Sequence, residues 1–174
     1  MTTTGPAQST SSVHTPLFDV AEIDLRTPIA GRTEIERLNP HRHEMALLDE
    51  VIWLSEDFTC ALGLHRCRGD AFWVRGHFPG MPLMPGVLQI EAGAQLACFL
   101  WNRQQPSPRV AAFLRIEQAA FRRSVLPGED LLILCKEVKL GRRRFISDVQ
   151  GLVGDQLAFE ARVSGMALDE HKAD

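Results

Sequence analysis

His77 and Glu91 are the two side chains whose type and setting suit proton transfer. His77 lies in Gly76-His77-Phe78-Pro79-Gly80-Met81-Pro82-Leu83-Met84-Pro85-Gly86, where glycines and prolines restrict the backbone around a single imidazole. Glu91 follows in the apolar run 87–101. An imidazole takes and returns protons near neutral pH, and a carboxyl group can supply one to a leaving group. Between the two, Pro85-Gly86 reads as a helix start, with Pro85 at the first helical position, where its missing N–H costs nothing. Gly86 then offers a backbone N–H with no side chain in the way. Free N–H groups and the positive end of the helix dipole stabilise an oxygen that gains negative charge. A thioester carbonyl turning into an enolate is such an oxygen.

Singly, these residues are ordinary. A lone loop histidine is more often structural than catalytic, and a lone helical glutamate usually faces solvent. Proline and glycine in a loop commonly mark only a turn. Their combination on one continuous stretch is what points to acid–base chemistry.

The elements that must position them can be read around that stretch. The run 87–101 is apolar nearly all round, as in a helix enclosed by other structure. Glu91 and Gln95 lie one turn apart on one face, which continues through Cys98 and Asn102. A carboxylate there costs energy unless paired. Residues 33–38 read as a short helix with Thr33 as N-cap, ended by Asn39-Pro40. Strands are expected over 46–54, 58–67, 110–121, 131–140 and 143–153, and the turn Gly154-Asp155 leads into 156–168. In the third, Phe113, Arg115 and Glu117 alternate with Leu114 and Ile116, as in a half-buried sheet. One helix followed by successive strands predicts an α+β fold, an antiparallel sheet wrapped around one long central helix.

The bulk properties are those of a single soluble domain: 174 residues, 45% apolar and 24% charged. A net charge of −3 argues against a general nucleic-acid binder. Cys60, Cys67, Cys98 and Cys135 form no Cys-x-x-Cys pattern, so free thiols in a reduced, cytoplasmic protein are expected, without a signal peptide. Gln89, Glu91 and Gln95 interrupt the helical run, which makes it a core helix and not a membrane span. Tyrosine is absent. Residues 1–16 read as a disordered tail. Residues 17–33 form an extension whose Phe18, Val20, Ile23 and Leu25 dock on the body, and 34–174 form the main domain.

The central motif, with Glu91-Ala92-x-Ala94-Gln95 behind it, resembles the signature of the FabZ-type 3-hydroxyacyl-[acyl-carrier-protein] dehydratases. Pro40-His41-Arg42 with Ala46-Leu47-Leu48-Asp49-x-Val51, and Phe121-Arg122-Arg123-x-Val125-x-Pro127-Gly128, are similar to two further blocks of that family. The resemblance runs from about Glu34 to Leu168. It implies a hot-dog fold and a homodimer, often assembled further into a trimer of dimers, with the site at the dimer interface. By motif match, His77 of one subunit and Glu91 of the other are catalytic. Gly86 polarises the thioester carbonyl, the carbonyl of Leu83 orients the histidine, and Gln95 completes the substrate-binding residues. The implied reaction dehydrates an acyl-carrier-protein-linked (or coenzyme A-linked) 3-hydroxyacyl thioester to the trans-2-enoyl thioester in fatty acid or related lipid synthesis. It needs no metal or redox cofactor.

Departures from the family pattern are His43-Glu44-Met45 after Pro-His-Arg, and Gln89 and Gly93 where the family carries large apolar residues. Gly93 would make room for an acyl chain or a neighbouring helix. Arg122-Arg123 and Arg142-Arg143-Arg144 are candidates for a basic rim facing an acidic carrier, set against a plain solvated strand and turn. His41 and His43 beside Glu44 form too weak a pattern for a metal, and His41 reads as structural. Two other readings remain on this fold: an acyl thioesterase, and a non-catalytic acyl-binding subunit.

Overall fold

In the computed structural model, residues 15–168 are described; the tail expected over 1–16 falls outside them except for Thr15 and Pro16, as do residues 169–174. Among the described residues, two α-helices and six strands follow in the order α1 (Arg32–Leu38), β1 (Glu50–Leu54), β2 (Cys60–Arg66), α2 (Gly86–Arg103), β3 (Ala111–Phe121), β4 (Asp130–Leu140), β5 (Arg144–Val153) and β6 (Gln156–Ala167). The strands form one antiparallel sheet in the order β1-β2-β4-β5-β6-β3, and α2 packs across β2, β4, β5 and β6. This is the α+β architecture expected from the strand and helix pattern.

Side-chain alternation sorts the sheet into two faces. Leu131, Ile133 and Cys135 of β4 join the core around α2, with Leu96, Phe99, Trp101, Val149 and Phe159. Leu134 points the other way, into a second cluster with Ile52, Leu62, Leu64 and Leu152. Leu17, Phe18, Val20 and Ile23 cover this second cluster, and the Phe18 and Trp53 ring centroids lie 5.5 Å apart. Leu17 N–H donates to Gln150 Oε1 at 2.8 Å, which ties the segment to β5. Burying that apolar stripe is the physical work of the extension.

Four local expectations need correction. The N-cap of α1 is Gly31 and not Thr33, and no side chain caps it. Ala30 pairs with Val51 as an isolated bridge, and Arg32 bonds to Asp49, so the helix begins directly after the bridge. Residues 46–49 are not strand: a 3-10 turn spans His43–Met45, and Leu47 and Leu48 N–H bond to Gln95 Oε1 instead of to a neighbouring strand. Gly93 faces the sheet, not an acyl chain or another helix. A Cβ there would lie 3.1 Å from Val149 Cβ, so the missing side chain allows α2 to sit close on β5. Finally, β3 is not half-buried. It pairs only with β6 at the sheet edge, and Phe113, Leu114 and Ile116 are all exposed.

Candidate active site

The loop carrying His77 is first held by its own backbone. His77 N–H donates to Trp73 O at 2.8 Å, Leu83 N–H to His77 O at 2.9 Å, and Met84 N–H to Val125 O at 2.7 Å. The Phe78 ring stacks on the imidazole with centroids 4.1 Å apart. His77 Nδ1 lies 3.0 Å from Leu83 O. A carbonyl oxygen only accepts, so Nδ1 carries the proton, and in the neutral ring Nε2 keeps its lone pair. The loop thus selects the tautomer that a general base needs.

The following helix starts one residue later than its proline suggests. Pro85 is the N-cap, with φ −54° and ψ 131°, and its carbonyl accepts from Leu88 and Gln89 N–H at 3.0 and 3.2 Å. Gly86 is therefore the first helical residue, and its N–H donates to no described residue. A Cβ on Gly86 would lie 2.6 Å from Cε1 and Cζ of Phe121, so only glycine fits this approach without movement. His77, Leu83, Gly86, Gln89 and Phe121 line one cavity of about 530 Å³.

Arg122 and Arg123 line the same cavity. Arg122 pairs with Glu160 at 2.5 Å and Arg123 with Glu129 at 2.6 Å, so much of their charge is already answered within the chain.

Glu91 is elsewhere. It lines a separate cavity of about 40 Å³ with His41, Ala94, Cys98, Phe113 and Phe145. No described residue lines both cavities. Gln95, 2% exposed, donates from Nε2 to Glu91 Oε1 at 2.9 Å and to Met45 O at 2.7 Å. Its own Oε1 accepts from Leu47 and Leu48 N–H at 3.0 and 3.2 Å. His41 Nε2 lies 3.3 Å from the same Glu91 oxygen. The Gln95 amide therefore holds one carboxylate oxygen, with the His41 ring beside it, and Oε2 bonds to no described residue.

Behind this anchor stands a buried polar cluster. His65 Nδ1–H donates to Leu47 O at 2.6 Å and lies 3.6 Å from Asp49 Oδ2. Asp49 accepts from Arg32 at 2.8 Å, Arg68 at 2.9 Å and the Arg66 N–H at 2.7 Å. Burial pushes the His65 imidazole below its ordinary value, against a smaller opposing pull from the Leu47 carbonyl and Asp49. Burial also pushes the Cys98 thiol, next to Glu91, up to about 12. Neither His41 beside Glu91 nor the His65–Asp49 support follows from sequence spacing. The Pro40-His41-Arg42 block was the available signal for the first, and it gave no direction for the ring.

The FabA-like domain model matches residues 39–162. The chain is 36% identical over 130 residues to the 3-hydroxyacyl-[acyl-carrier-protein] dehydratase FabZ of Desulforamulus reducens, covering 74% of this chain and 91% of that protein. It is 38% identical over 140 residues to the bifunctional enzyme LpxC/FabZ of Porphyromonas gingivalis, covering 78% of this chain but only 30% of that longer protein. In fold it is similar to a chain of the dehydratase heterocomplex ApeI:P from Xenorhabdus doucetiae, with TM-score 0.68 and 15% identity over 78% of this chain and 91% of that one. That identity speaks for a shared hot-dog fold alone. The domain match over most of the chain, with a relative of comparable length at 36% identity, shows that the chain belongs to the FabA-like domain family.

Proposed function

We propose that this chain is a hydro-lyase that converts 3-hydroxyacyl thioesters, carried on acyl carrier protein, into trans-2-enoyl thioesters for fatty acid or related lipid synthesis. The observation that carries the reading is His77 with its Nδ1–H fixed on Leu83 O, in one cavity with the free Gly86 N–H. Nε2 takes the proton from C2 of the acyl chain, and the carbonyl oxygen that gains charge is held by the Gly86 N–H and the helix end. The C2–H electron pair becomes the C2=C3 bond as the C3–O bond breaks. Glu91 gives its proton to the departing hydroxyl, which leaves as water. His77 ends protonated and Glu91 ionised, and a proton returned from one to the other resets the site.

Glu91 comes from a second copy of the chain. Two observations support this reading: His77 and Glu91 line separate cavities, and the exposed edge strand β3 carries Phe113, Leu114 and Ile116 beside the Glu91 cavity. A homodimer is the minimal unit, and pairs can assemble further as a trimer of dimers. Gln95 acts by holding Glu91. Arg122 and Arg123 lie where the phosphate of a pantetheine arm or an acidic carrier surface approaches, whether the acyl group arrives on carrier protein or on coenzyme A. The catalytic domain begins near residue 34, and residues 17–33 are an accessory strap. Among the described residues no helix is long and apolar enough to cross a membrane, and the proposed setting is the cytoplasm.

The test offers purified protein a 3-hydroxyacyl or enoyl thioester and follows the conjugated double bond by ultraviolet absorbance. Interconversion supports the hydro-lyase. Release of free thiol with the double bond unchanged supports a thioesterase, and binding without turnover supports an acyl-binding subunit.

A further inference from the structure

Gln89 is a buried polar residue of the His77 cavity that the proposed reaction does not use. It is 3% exposed, on the first turn of α2, and lines the cavity with His77 and Gly86. Its Nε2 donates to Met84 O at 3.2 Å. That bond fixes the amide orientation, because the flipped amide would set two acceptors against each other. The remaining atom, Oε1, is buried and has no hydrogen-bond partner among the described residues. A buried acceptor without a partner is costly, and a site built around one rejects ligands that leave it unpaired. A large apolar residue would fill the same position at no such cost.

We propose that Gln89 Oε1 accepts a hydrogen bond from a hydroxyl or amide N–H carried on the acyl chain, in addition to the 3-hydroxyl. The chain thereby selects polar acyl groups over plain alkyl ones. This inference rests on the dehydratase reading for the placement of the substrate. In that reading the 3-hydroxyl is engaged by the Glu91 of a second copy, which protonates it, so the donor to Gln89 is a further group on the acyl chain. The pantetheine arm enters past exposed Arg122 and Val87, whereas Gln89 lies beside Met84, which is fully buried. The acyl group, not the arm, reaches that depth. Gly86 and Gln89 are one helical turn apart, so the donor sits within roughly 5 Å along the helix from the polarised carbonyl.

The experiment compares 3-hydroxyacyl thioesters of one chain length, one plain and the others carrying a single additional hydroxyl at successive carbons. Both kcat/KM and competitive binding are measured for the wild type, Gln89→Leu and Gln89→Met. The expected result is a preference of about tenfold or more for one hydroxylated substrate, lost in both variants. Equal treatment of all substrates by the wild type overturns the proposal. So does a loss in both variants that is the same for plain and hydroxylated chains, which would mark a bond to the 3-hydroxyl or the pantetheine. Competitive binding still reads the preference if no substrate is turned over, and absence of turnover counts against the dehydratase reading alone. Two apolar replacements guard against one of them misfolding, and thermal melts identify such a case.

Discussion

His77, in the loop before α2, and Glu91, in the second turn of that helix, line two different cavities of the same chain. A helix end supplies the reason. Gly86 opens α2 beside the His77 loop and the end of β3, while Glu91 lies further along the helix, against Gln95 and His41. In the proposed reaction each chain thus presents a base with an oxyanion donor on one side, and an acid held by Gln95 on another. In that reading a second chain brings its acid to the first chain's base and completes the set.

Gly86→Ala tests the oxyanion role. The added Cβ meets the Phe121 ring, which is half exposed and can swing aside, but it also crowds the N–H proposed to hold the thioester oxygen. The expected loss is on the order of 10²-fold in kcat with KM little changed, because the bond strengthens only as charge develops. Folding stability should change by no more than about 1 kcal/mol. Steady-state kinetics beside a thermal melt separate the two effects, and a loss confined to KM would argue against the role.

Gln95→Leu removes the amide that binds Leu47 N–H, Leu48 N–H, Met45 O and Glu91 Oε1 together. Buried groups left unpaired predict a destabilisation of roughly 2–4 kcal/mol in urea titrations. Activity at a temperature where the variant is folded should also fall, because Glu91 loses its fixed oxygen.

His65 predicts acid sensitivity. Burial lowers its folded-state value below the unfolded value of about 6.5, so the unfolded chain takes up the proton first as pH falls. The stability it contributes is fully present above about pH 6.5 and is lost as pH falls through the folded value. Urea midpoints measured between about pH 7.5 and 5 should drop for the wild type and drop less for His65→Gln. Equal slopes for the two chains would contradict the assignment.

Much of this architecture is legible from residue pattern. The apolar helix, the glycine- and proline-rich histidine loop and the later strands each rest on local periodicity and turn residues, and their bounds lie close to the expected ones. What was not legible depends on contacts distant in sequence. Residues 46–49 have a strand-like composition, yet the amide of Gln95 takes the N–H groups a strand would have used. Thr33 is a good cap, but the Ala30–Val51 bridge starts the helix at Arg32. The His41 ring beside Glu91, and the unpaired oxygen of Gln89, are set by how α2 packs and not by spacing.

The shared site is the central claim, and complementation tests it most directly. His77→Ala and Glu91→Ala chains, each inactive alone, are mixed, unfolded and refolded together, and exchange is verified by native mass spectrometry of differently tagged chains. In a random equal mixture half the dimers are mixed, and each mixed dimer holds one site with both residues intact. The account predicts recovery of about a quarter of wild-type enoyl formation. Verified exchange with activity no greater than that of the two parent chains would contradict it.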